Sequence, residues 1–350
     1  MNEPKSSRYH RLRRRAGALS TAASAAALLL LLWWRPDLPV WLYALLLVVV
    51  NELAVLPAAF YRGFLLERQY DLSAEPLAGW ARDHAKAFAL TAMLAVAGAA
   101  GLYALIRWQP ERWWLPAAVA ATALTVLLAR LAPVVLLPLF YRFTPLDRPA
   151  LAERLVTLSE RAGVPVLGAY EWGLAGKTRR ANAALAGAGA TRRILLSDTL
   201  LAGYTDDEIE VILAHELAHH VHRDIPKALA VELVLLLAAF YAAAAALDAL
   251  WRPLGLEGPA DPRGMPILLL AGGAVLLAAT PLLNAFSRAN ERRADRFALA
   301  LTGRAEPFIS AMKRLGSQNL AEENPSRLAV WLFHSHPPIE ERIAAARDYR

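Results

Sequence analysis

The chain has 350 residues with 57% hydrophobic side chains, a formal net charge of +7 and no cysteine. This apolar fraction, concentrated in long uncharged runs, excludes an ordinary soluble protein and predicts a polytopic membrane protein. The absence of cysteine excludes disulfides and thiolate metal sites. The arginines lie beside apolar runs and form no basic stripe, so no nucleic-acid partner is predicted.

Residues 1–140 predict a basic tail and an N-terminal membrane region of four spans. The tail, residues 1–15, carries one lysine and five arginines. Residues 16–140 contain four apolar runs of roughly 20 residues, the length that crosses a bilayer: 16–34, 39–60, 87–106 and 115–140. The first run is longer than the core of a signal peptide and ends in Trp33-Trp34, which is typical of a retained span.

Asn51 and Glu52 interrupt the second apolar run. Burying such groups in lipid is costly, so two interpretations stay open. Either the pair faces protein or a wet cavity within the membrane, or it lies at the level of the membrane interface.

The distribution of lysine and arginine predicts the orientation of the chain. The tail has six and the connector at 61–86 has four, against one and two in the turns on the other side. Because such residues remain on the cytoplasmic side, the tail and this connector are predicted to be cytoplasmic. Two further spans within 228–286 cross the membrane and return, so the segments before and after them lie on the same side. Residues 141–227, residues 287–350 and both termini are therefore predicted to lie on the cytoplasmic face of the cell (inner) membrane.

Residues 141–227 predict a small α+β domain. An amphipathic helix at 150–162 precedes three strand-like segments separated by glycine-rich turns: 166–172, 180–185 and 191–196. A second helix follows, and it begins at a capping box formed by Thr205 and Glu208. Acidic residues in its first turn and basic residues at its end complement the helix dipole.

This second helix carries the sequence Ala-His-Glu-Leu-Ala-His-His at 214–220. His215 and His219 are one turn apart on the same face, so both imidazoles can reach one metal ion. Glu216 lies beside them and is placed to take a proton from a water whose pKa zinc lowers to roughly 7. His220 and His222 point away from this face, and an ordinary solvated helix face is the alternative for the whole pattern.

The C-terminal segment 287–350 supplies the remaining candidates. Glu291 and Asp295 are i and i+4 on a predicted helix, so one carboxylate can bind the ion while the other steadies an imidazole or an arginine. Farther on, one of the histidines of His334-Ser335-His336, together with Arg342, can donate to the oxyanion that develops on a scissile carbonyl. An exposed charged helix and a loop histidine before an amphipathic helix are the corresponding alternatives.

Several segments, in matching order, resemble the integral-membrane zinc metalloproteases of the CAAX prenyl protease type I family, which are related to the HtpX-like membrane proteases. The segments that carry the resemblance are Asn51-Glu52 with Glu67 and Asp71–Ser73, Pro138–Leu146, Arg180–Ala183, Leu195–Leu200, the motif around His215, Glu291–Asp295, and Ser335–Pro338 with Arg342. The N-terminal membrane half favours the CAAX-protease branch, because the HtpX-like branch is shorter there. The eukaryotic members generally have seven spans, whereas six are predicted here.

The resemblance implies a gluzincin site, with one zinc ion per chain held by His215, His219 and Glu291 and with Glu216 as the general base. It also implies that Asp295 supports the ligands and that the spans surround a water-filled chamber. Three more residues acquire implied roles from it: His336 and Arg342 flank the scissile bond, and Asn182 lies on an edge strand that binds the substrate backbone. For Asn182 an ordinary turn residue is the alternative.

The expected fold is therefore mainly α, with about six transmembrane helices and a small α+β zinc metallopeptidase domain. The expected function is membrane-embedded endopeptidase action on peptides or proteins, with or without a lipid, in general proteolysis or quality control in a bacterium. Two alternatives remain, an HtpX-like protease of misfolded membrane proteins and a non-catalytic membrane scaffold. The sequence leaves open the physiological substrate, the cleavage preference, the oligomeric state and the gating of the chamber.

Overall fold

The computed structural model describes residues 4–187 and 189–349. Six helices in this part of the chain are long and apolar enough to cross a membrane, which confirms the predicted number of spans. They contain, in chain order, α1 (Lys5–Trp34), α2 (Val40–Phe60), α4 (Leu77–Trp108), α5 (Trp114–Leu131), α9 (Asp224–Leu250) and α10 (Met265–Thr302). The α2 span continues through a π-helical turn, Tyr61–Leu65, into the short helix α3 (Leu66–Gln69).

The six spans form a closed ring. Each packs against the next in chain order, and α10 packs against α1. Only 11% to 22% of the residues in the most apolar part of each span are buried. Spans with so little helix–helix burial need a bilayer around them, because water would otherwise meet most of their apolar surface.

Polar side chains join neighbouring spans of the ring. Ser24 Oγ donates to Asn51 Oδ1 at 2.5 Å, and Glu52 Oε1 lies 2.6 Å from His84 Nε2. Both members of the Asn51-Glu52 pair therefore have partners on adjacent helices. This arrangement favours the protein-facing interpretation over an isolated polar pair at the interface.

One end of the ring is closed by an apolar core. It includes the turns that join α1 to α2, α4 to α5 and α9 to α10. The largest fully buried side chains there are Tyr43, Tyr103, Ile106 and Trp113. The α+β domain lies at the opposite end of the spans, since the helix Asp206–Val221 packs against α10 and shares a core with Ala298 and Leu299 near the end of α10.

The α+β domain contains a four-stranded sheet of order β1-β2-β4-β3. Its strands are β1 (Phe143–Pro145), β2 (Ala169–Trp172), β3 (Ala183–Ala186) and β4 (Arg193–Ser197). β2 and β4 are parallel, and the other two pairs are antiparallel. β3 is thus an edge strand, and the helix that carries the histidine motif packs against it.

Helices that pack on this sheet, on one another or on α10 complete the domain. They are α6 (Pro149–Arg161), α7 (Asp198–Gly203), α8 (Asp206–Val221), α11 (Ala305–Gln318), α12 (Arg327–Phe333) and α13 (Ile339–Arg347). Fully buried leucines of α6, Ile194 of β4, Leu213 of α8 and Phe308 of α11 share one core. The C-terminal segment is therefore an integral part of the α+β domain and not an appendage.

The structure corrects several predicted element boundaries. The basic tail is helical from Lys5 onwards and continuous with the first span, while residues 1–3 of that tail, like Arg350, lie outside the described residues. The fourth span ends at Leu131 rather than near residue 140, since Pro133 and Pro138 interrupt α-helical hydrogen bonding and the chain continues as short π and 3-10 turns. Much of the supposed connector at 61–86 is helical too.

The strands are shorter than predicted, and β1 was missed. The strand predicted at 180–185 begins only at Ala183, because backbone groups before it bond to side chains. The Ala181 amide donates to Asn319 Oδ1 at 3.2 Å, and the Asn182 amide donates to Ser197 Oγ at 2.9 Å.

Candidate active site

Helix α8 holds the histidine motif in a rigid and largely buried setting. Its predicted capping box is present, with the Thr205 amide donating to Glu208 Oε2 at 2.8 Å and the Glu208 amide donating to Thr205 Oγ1 at 3.3 Å. Ten of its residues, among them His215, are buried. The helix is thereby fixed at its start and along its length.

Two histidines of α8 and one carboxylate of α10 converge. The nitrogen and oxygen ligand atoms of His215, His219 and Glu291 all lie within 4.8 Å of one another. His215 Nε2 is 3.2 Å from Glu291 Oε2, and His219 Nε2 is 3.5 Å from Glu291 Oε1. Asp295, the other acidic candidate of α10, does not join this group.

This group fits a divalent metal ion. Glu291 Oε2 is buried and has no hydrogen-bond partner among the described residues. An orphaned buried carboxylate oxygen is costly, and a cation at this position would satisfy it. Two imidazole nitrogens and one carboxylate are the donor set of catalytic zinc sites, which keep a further position open.

A carboxylate stands behind each histidine. His215 Nδ1 lies 2.9 Å from Asp295 Oδ1, and His219 Nδ1 lies 3.0 Å from Asp224 Oδ2. Each contact leaves Nε2 as the nitrogen that faces Glu291. Such carboxylate–histidine contacts fix the tautomer and the orientation of a metal-binding imidazole.

Asp224 is not among the site residues predicted from the sequence. The residue opens α9 immediately after Arg223, which adopts a left-handed conformation with φ of 56°. This turn brings Asp224 back towards His219, where Arg293 of α10 also binds it. The sequence shows only a single acidic residue shortly after the helix that carries the histidine motif. Residue spacing within one helix does not predict a contact with a residue of the next helix.

Arg342 is buried and bound to Asp295. Its Nε donates to Asp295 Oδ2 at 2.8 Å, and its Nη2 donates to Oδ1 at 2.5 Å. Nη2 also lies 3.3 Å from His215 Nδ1. Arg342 therefore contacts the side of His215 opposite to the nitrogen that faces Glu291.

His336 approaches from the other direction. Its Nε2 is 3.5 Å from Glu291 Oε1, and its side chain is 61% exposed. His220 and His222 do not belong to the ligand group, and the ring of His222 packs edge-on against Phe297. The structure thus brings one loop histidine, and neither of the extra helix histidines, towards the group.

The electrostatics of the site reflect its burial and its carboxylates. Burial raises the pKa of Glu216 against the opposing influence of the neighbouring histidines. Burial alone would lower the pKa of His215, but the carboxylates of Asp295 and Glu291 outweigh it and raise that pKa to about 9. A site that stabilises positive charge this strongly is suited to a cation.

Asn182 is exposed and directly precedes the edge strand β3. A cavity of about 760 Å³ adjoins it, between the protease domain and the ends of the first three spans. Basic side chains in its lining include Arg13, Arg62, Lys177 and Arg180. One side of β3 pairs with β4, so an extended peptide can add to the other side.

Comparison with known proteins agrees with this architecture. Residues 145–350 match the model of peptidase family M48, and residues 17–142 match the model of the CAAX prenyl protease N-terminal region, described as five membrane helices. The chain belongs to peptidase family M48. Where that N-terminal description has five membrane helices, the described part of the matched segment has four candidate spans.

Relatives of this chain include bacterial and eukaryotic proteins. This chain is 31% identical over 312 residues to the uncharacterized metalloprotease YhfN of Bacillus subtilis, and the match covers 87% of this chain and 72% of YhfN. It is 26% identical over 304 residues to the CAAX prenyl protease 1 homolog of Oryza sativa subsp. japonica, covering 86% and 71% of the two chains. A protease HtpX homolog of Acidovorax ebreus is 31% identical over 216 residues, covering 58% of this chain and 72% of the homolog.

A crystal structure of S. mikatae Ste24p has the same fold. The TM-score is 0.87 with 21% sequence identity, and the match covers 99% of this chain and 88% of the other. The protein is therefore a multi-pass membrane metalloprotease of family M48, and its expected fold class, family and general function are confirmed.

Proposed function

We propose that this metalloprotease is a zinc endopeptidase in which His215, His219 and Glu291 hold one zinc ion and Glu216 is the general base. The observation that carries the proposal is that these three side chains converge. One of them, Glu291, has a buried carboxylate oxygen that has no hydrogen-bond partner among the described residues. Bound zinc supplies Lewis-acid polarisation of the peptide carbonyl and lowers the pKa of water.

The residues around the ligands have separate roles. Glu216 takes the proton of the attacking water and returns it to the leaving amine. His336 donates to the carbonyl oxygen as negative charge develops there. Asp295 and Asp224 orient the two imidazoles.

We assign Arg342 a positioning role in place of contact with the scissile bond. Its guanidinium is buried, bound to Asp295 through two hydrogen bonds, and close to His215 Nδ1. In this position it holds Asp295 ionised and aligned. A donor to the substrate would need to face the same side as Glu291 and His336.

Substrates are proposed to be membrane-associated peptides or proteins that add as an extended strand to β3 next to Asn182. Backbone pairing at an edge strand gives affinity without strict sequence preference, which suits proteolysis of varied substrates. The name CAAX prenyl protease of one relative supports a prenylated substrate, whereas the name protease HtpX homolog mentions no lipid, so substrates with and without a lipid are both proposed. The bacterial source of YhfN supports a bacterial role, for which general proteolysis or quality control is proposed.

The proposed location is the inner membrane, with the protease domain and both termini in the cytoplasm. The proposed division of the chain keeps 141–227 and 287–350 as the two parts of the protease domain. Both parts contribute to the shared core and to the ligand group, which supports this division. A non-catalytic scaffold would not need a complete ligand set with an adjacent carboxylate.

Glu216→Gln tests the base. The purified protein in detergent is given an unfolded fluorescent reporter, and bound zinc is quantified. We expect cleavage to fall by about 10²- to 10⁴-fold, the usual contribution of a general base, with zinc retained at one per chain. Glu306→Gln on an exposed position of α11 is the matched control and should cleave like the parent. Equal cleavage by the Glu216 variant would remove this residue from the mechanism.

A further inference from the structure

The first three turns of α1 extend beyond the apolar run and dock on the protease domain. Tyr9 is fully buried and lies in a small core with Leu66, Tyr70 and Leu72. Leu320, from the loop after α11, packs against the same core. A segment with the composition of a solvated basic tail is thus part of the packed structure.

Tyr9 anchors this extension through a buried polar cluster. Its hydroxyl donates to Glu67 Oε1 at 2.5 Å and accepts from Arg180 Nη2 at 2.7 Å. Arg180 Nη2 also lies 3.0 Å from Glu67 Oε2. The anchor therefore joins α1 both to the end of the second span and to the segment that leads into Asn182.

One turn farther along α1, Arg14 reaches the loop that leads to the active-site histidine. Its Nη1 and Nη2 donate to Glu322 Oε2 and Oε1 at 2.5 and 3.0 Å. Glu322 Oε2 in turn lies 3.1 Å from His334 Nε2, two residues before His336. The guanidinium of Arg14 also lies over the ring of Phe333, 5.7 Å from its centroid.

The central carboxylate of this chain of contacts is well buried. The side chain of Glu322 is 7% exposed. Burial alone would raise the pKa of Glu322, but the hydrogen bond and charge of Arg14 outweigh burial and lower it. A bidentate arginine–carboxylate pair of this kind fixes geometry as well as charge. Removing one partner leaves the other buried without compensation.

We propose that the helical extension of α1, residues Lys5–Arg15, is a clasp that positions the active-site loop, with Arg14 and Glu322 acting on His336 through His334. The inference rests on the proposed function of His336. α10 also restrains the backbone of this loop: Asn284 donates to the Leu332 carbonyl at 2.8 Å, and Arg288 donates to the Val330 and His334 carbonyls at 2.9 and 2.5 Å. Glu322 instead contacts the imidazole of His334.

The clasp joins residues from opposite ends of the sequence. Arg14 and Glu322 are 308 residues apart in sequence. Because α1 continues into the membrane, the clasp fixes the position of the loop that bears His336 relative to the first span, and α10 fixes it as well. A misplacement of about 1 Å in such a group can reduce catalysis by about 10²-fold.

The test uses the full chain in detergent, with Arg14→Ala and with Arg15→Ala as matched control. Arg15 is the next residue on the same helix and is exposed, so both variants lose one positive charge. We expect Arg14→Ala to lower kcat by about tenfold or more with KM little changed, as for an interaction realised in the transition state. Bound zinc should stay close to that of the control. The unfolding temperature should fall, because Glu322 is left buried without its partner, so the rates are compared well below that temperature.

Glu322→Gln and the double variant complete a cycle. If both residues act through one contact, the double variant should be no slower than the slower single variant. Arg14→Lys keeps the charge but loses the bidentate geometry, and it should recover only part of the rate. Independent, additive losses in the cycle would overturn the proposed clasp.

A second readout does not depend on activity. The chain has no cysteine, so Ser335→Cys gives a unique site for a nitroxide label beside His336. We expect the electron paramagnetic resonance spectrum to show a more mobile label with Arg14→Ala and an unchanged label with Arg15→Ala. An unchanged spectrum with Arg14→Ala would overturn the clasp even if the parent cleaves the reporter. Failure of the parent to cleave would count against the proposed function alone.

Discussion

At the scale of single residues, the two histidines of the motif are held in the same way by different parts of the chain. Asp295 comes from α10, four residues after Glu291, so ligand and support share one helix face. Asp224 comes from the first turn of α9 and supports His219. The carboxylate contact makes Nδ1 the donor and leaves the Nε2 lone pair directed at the ligand group.

Asp224→Asn should weaken metal binding. An amide lacks the negative charge that raises the basicity of His219, and it can present an NH2 group to Nδ1. We expect metal affinity to fall by about 10- to 100-fold, the usual effect of losing such a partner. Titration against a chromogenic chelator measures the affinity. Asp248→Asn, at an exposed position of the same helix, is the control. Unchanged affinity in the Asp224 variant would show that this carboxylate is not needed to orient His219.

At the scale of secondary structure, local signals predicted the elements that depend on local physics. The capping box and apolar face of α8, and the lengths of the spans, are written in neighbouring residues. The strand β3 begins later than predicted because Asn319 and Ser197, distant in sequence, bind the backbone before it. The helical tail was missed for the same reason, since its docking depends on Arg180 and Glu322.

Thr205→Ala should destabilise the protease domain by about 1 kcal/mol, the usual cost of losing a helix N-cap. The Thr205 hydroxyl is the acceptor for the Glu208 amide at the start of α8. Denaturation in detergent, followed by circular dichroism, measures the change. Thr157→Ala in the middle of α6 is the control, since alanine is the better helix former at that exposed site. Equal stability of the two variants would mean that packing alone holds the start of α8.

At the scale of the whole molecule, the number of spans and the pairing of the two halves of the protease domain were predictable, whereas the order of the spans around the ring was not. Hydropathy identifies each span but carries no information about its neighbours. Contacts such as Thr125 with Glu232, 2.8 Å apart on α5 and α9, depend on which spans meet. The ligand set was accessible from sequence because spacing on α8 and on α10 is local, but Asp224 required the turn between two helices.

We predict the orientation of the molecule from the ring and the positive-inside rule, and this orientation can be measured directly. The three turns packed in the apolar core at one end should face away from the cytoplasm, while the protease domain should face into it. Glu257 lies in one of these turns with its side chain 87% exposed, and Lys313 is exposed on α11. Because the parent has no cysteine, a single cysteine at either position reports one side of the membrane.

A membrane-impermeant maleimide added to spheroplasts should label Glu257→Cys and leave Lys313→Cys unlabelled until detergent opens the membrane. Both substitutions remove only exposed charges, which contribute little to stability, so retained reporter cleavage serves as the folding control. The inverse pattern would place the ligand group outside the cytoplasm. The clasp joins the arginine-rich first turns of α1 to the protease domain, so both lie on one side of the membrane. The inverse pattern would therefore also place these turns outside the cytoplasm, which contradicts the charge distribution that predicts the orientation.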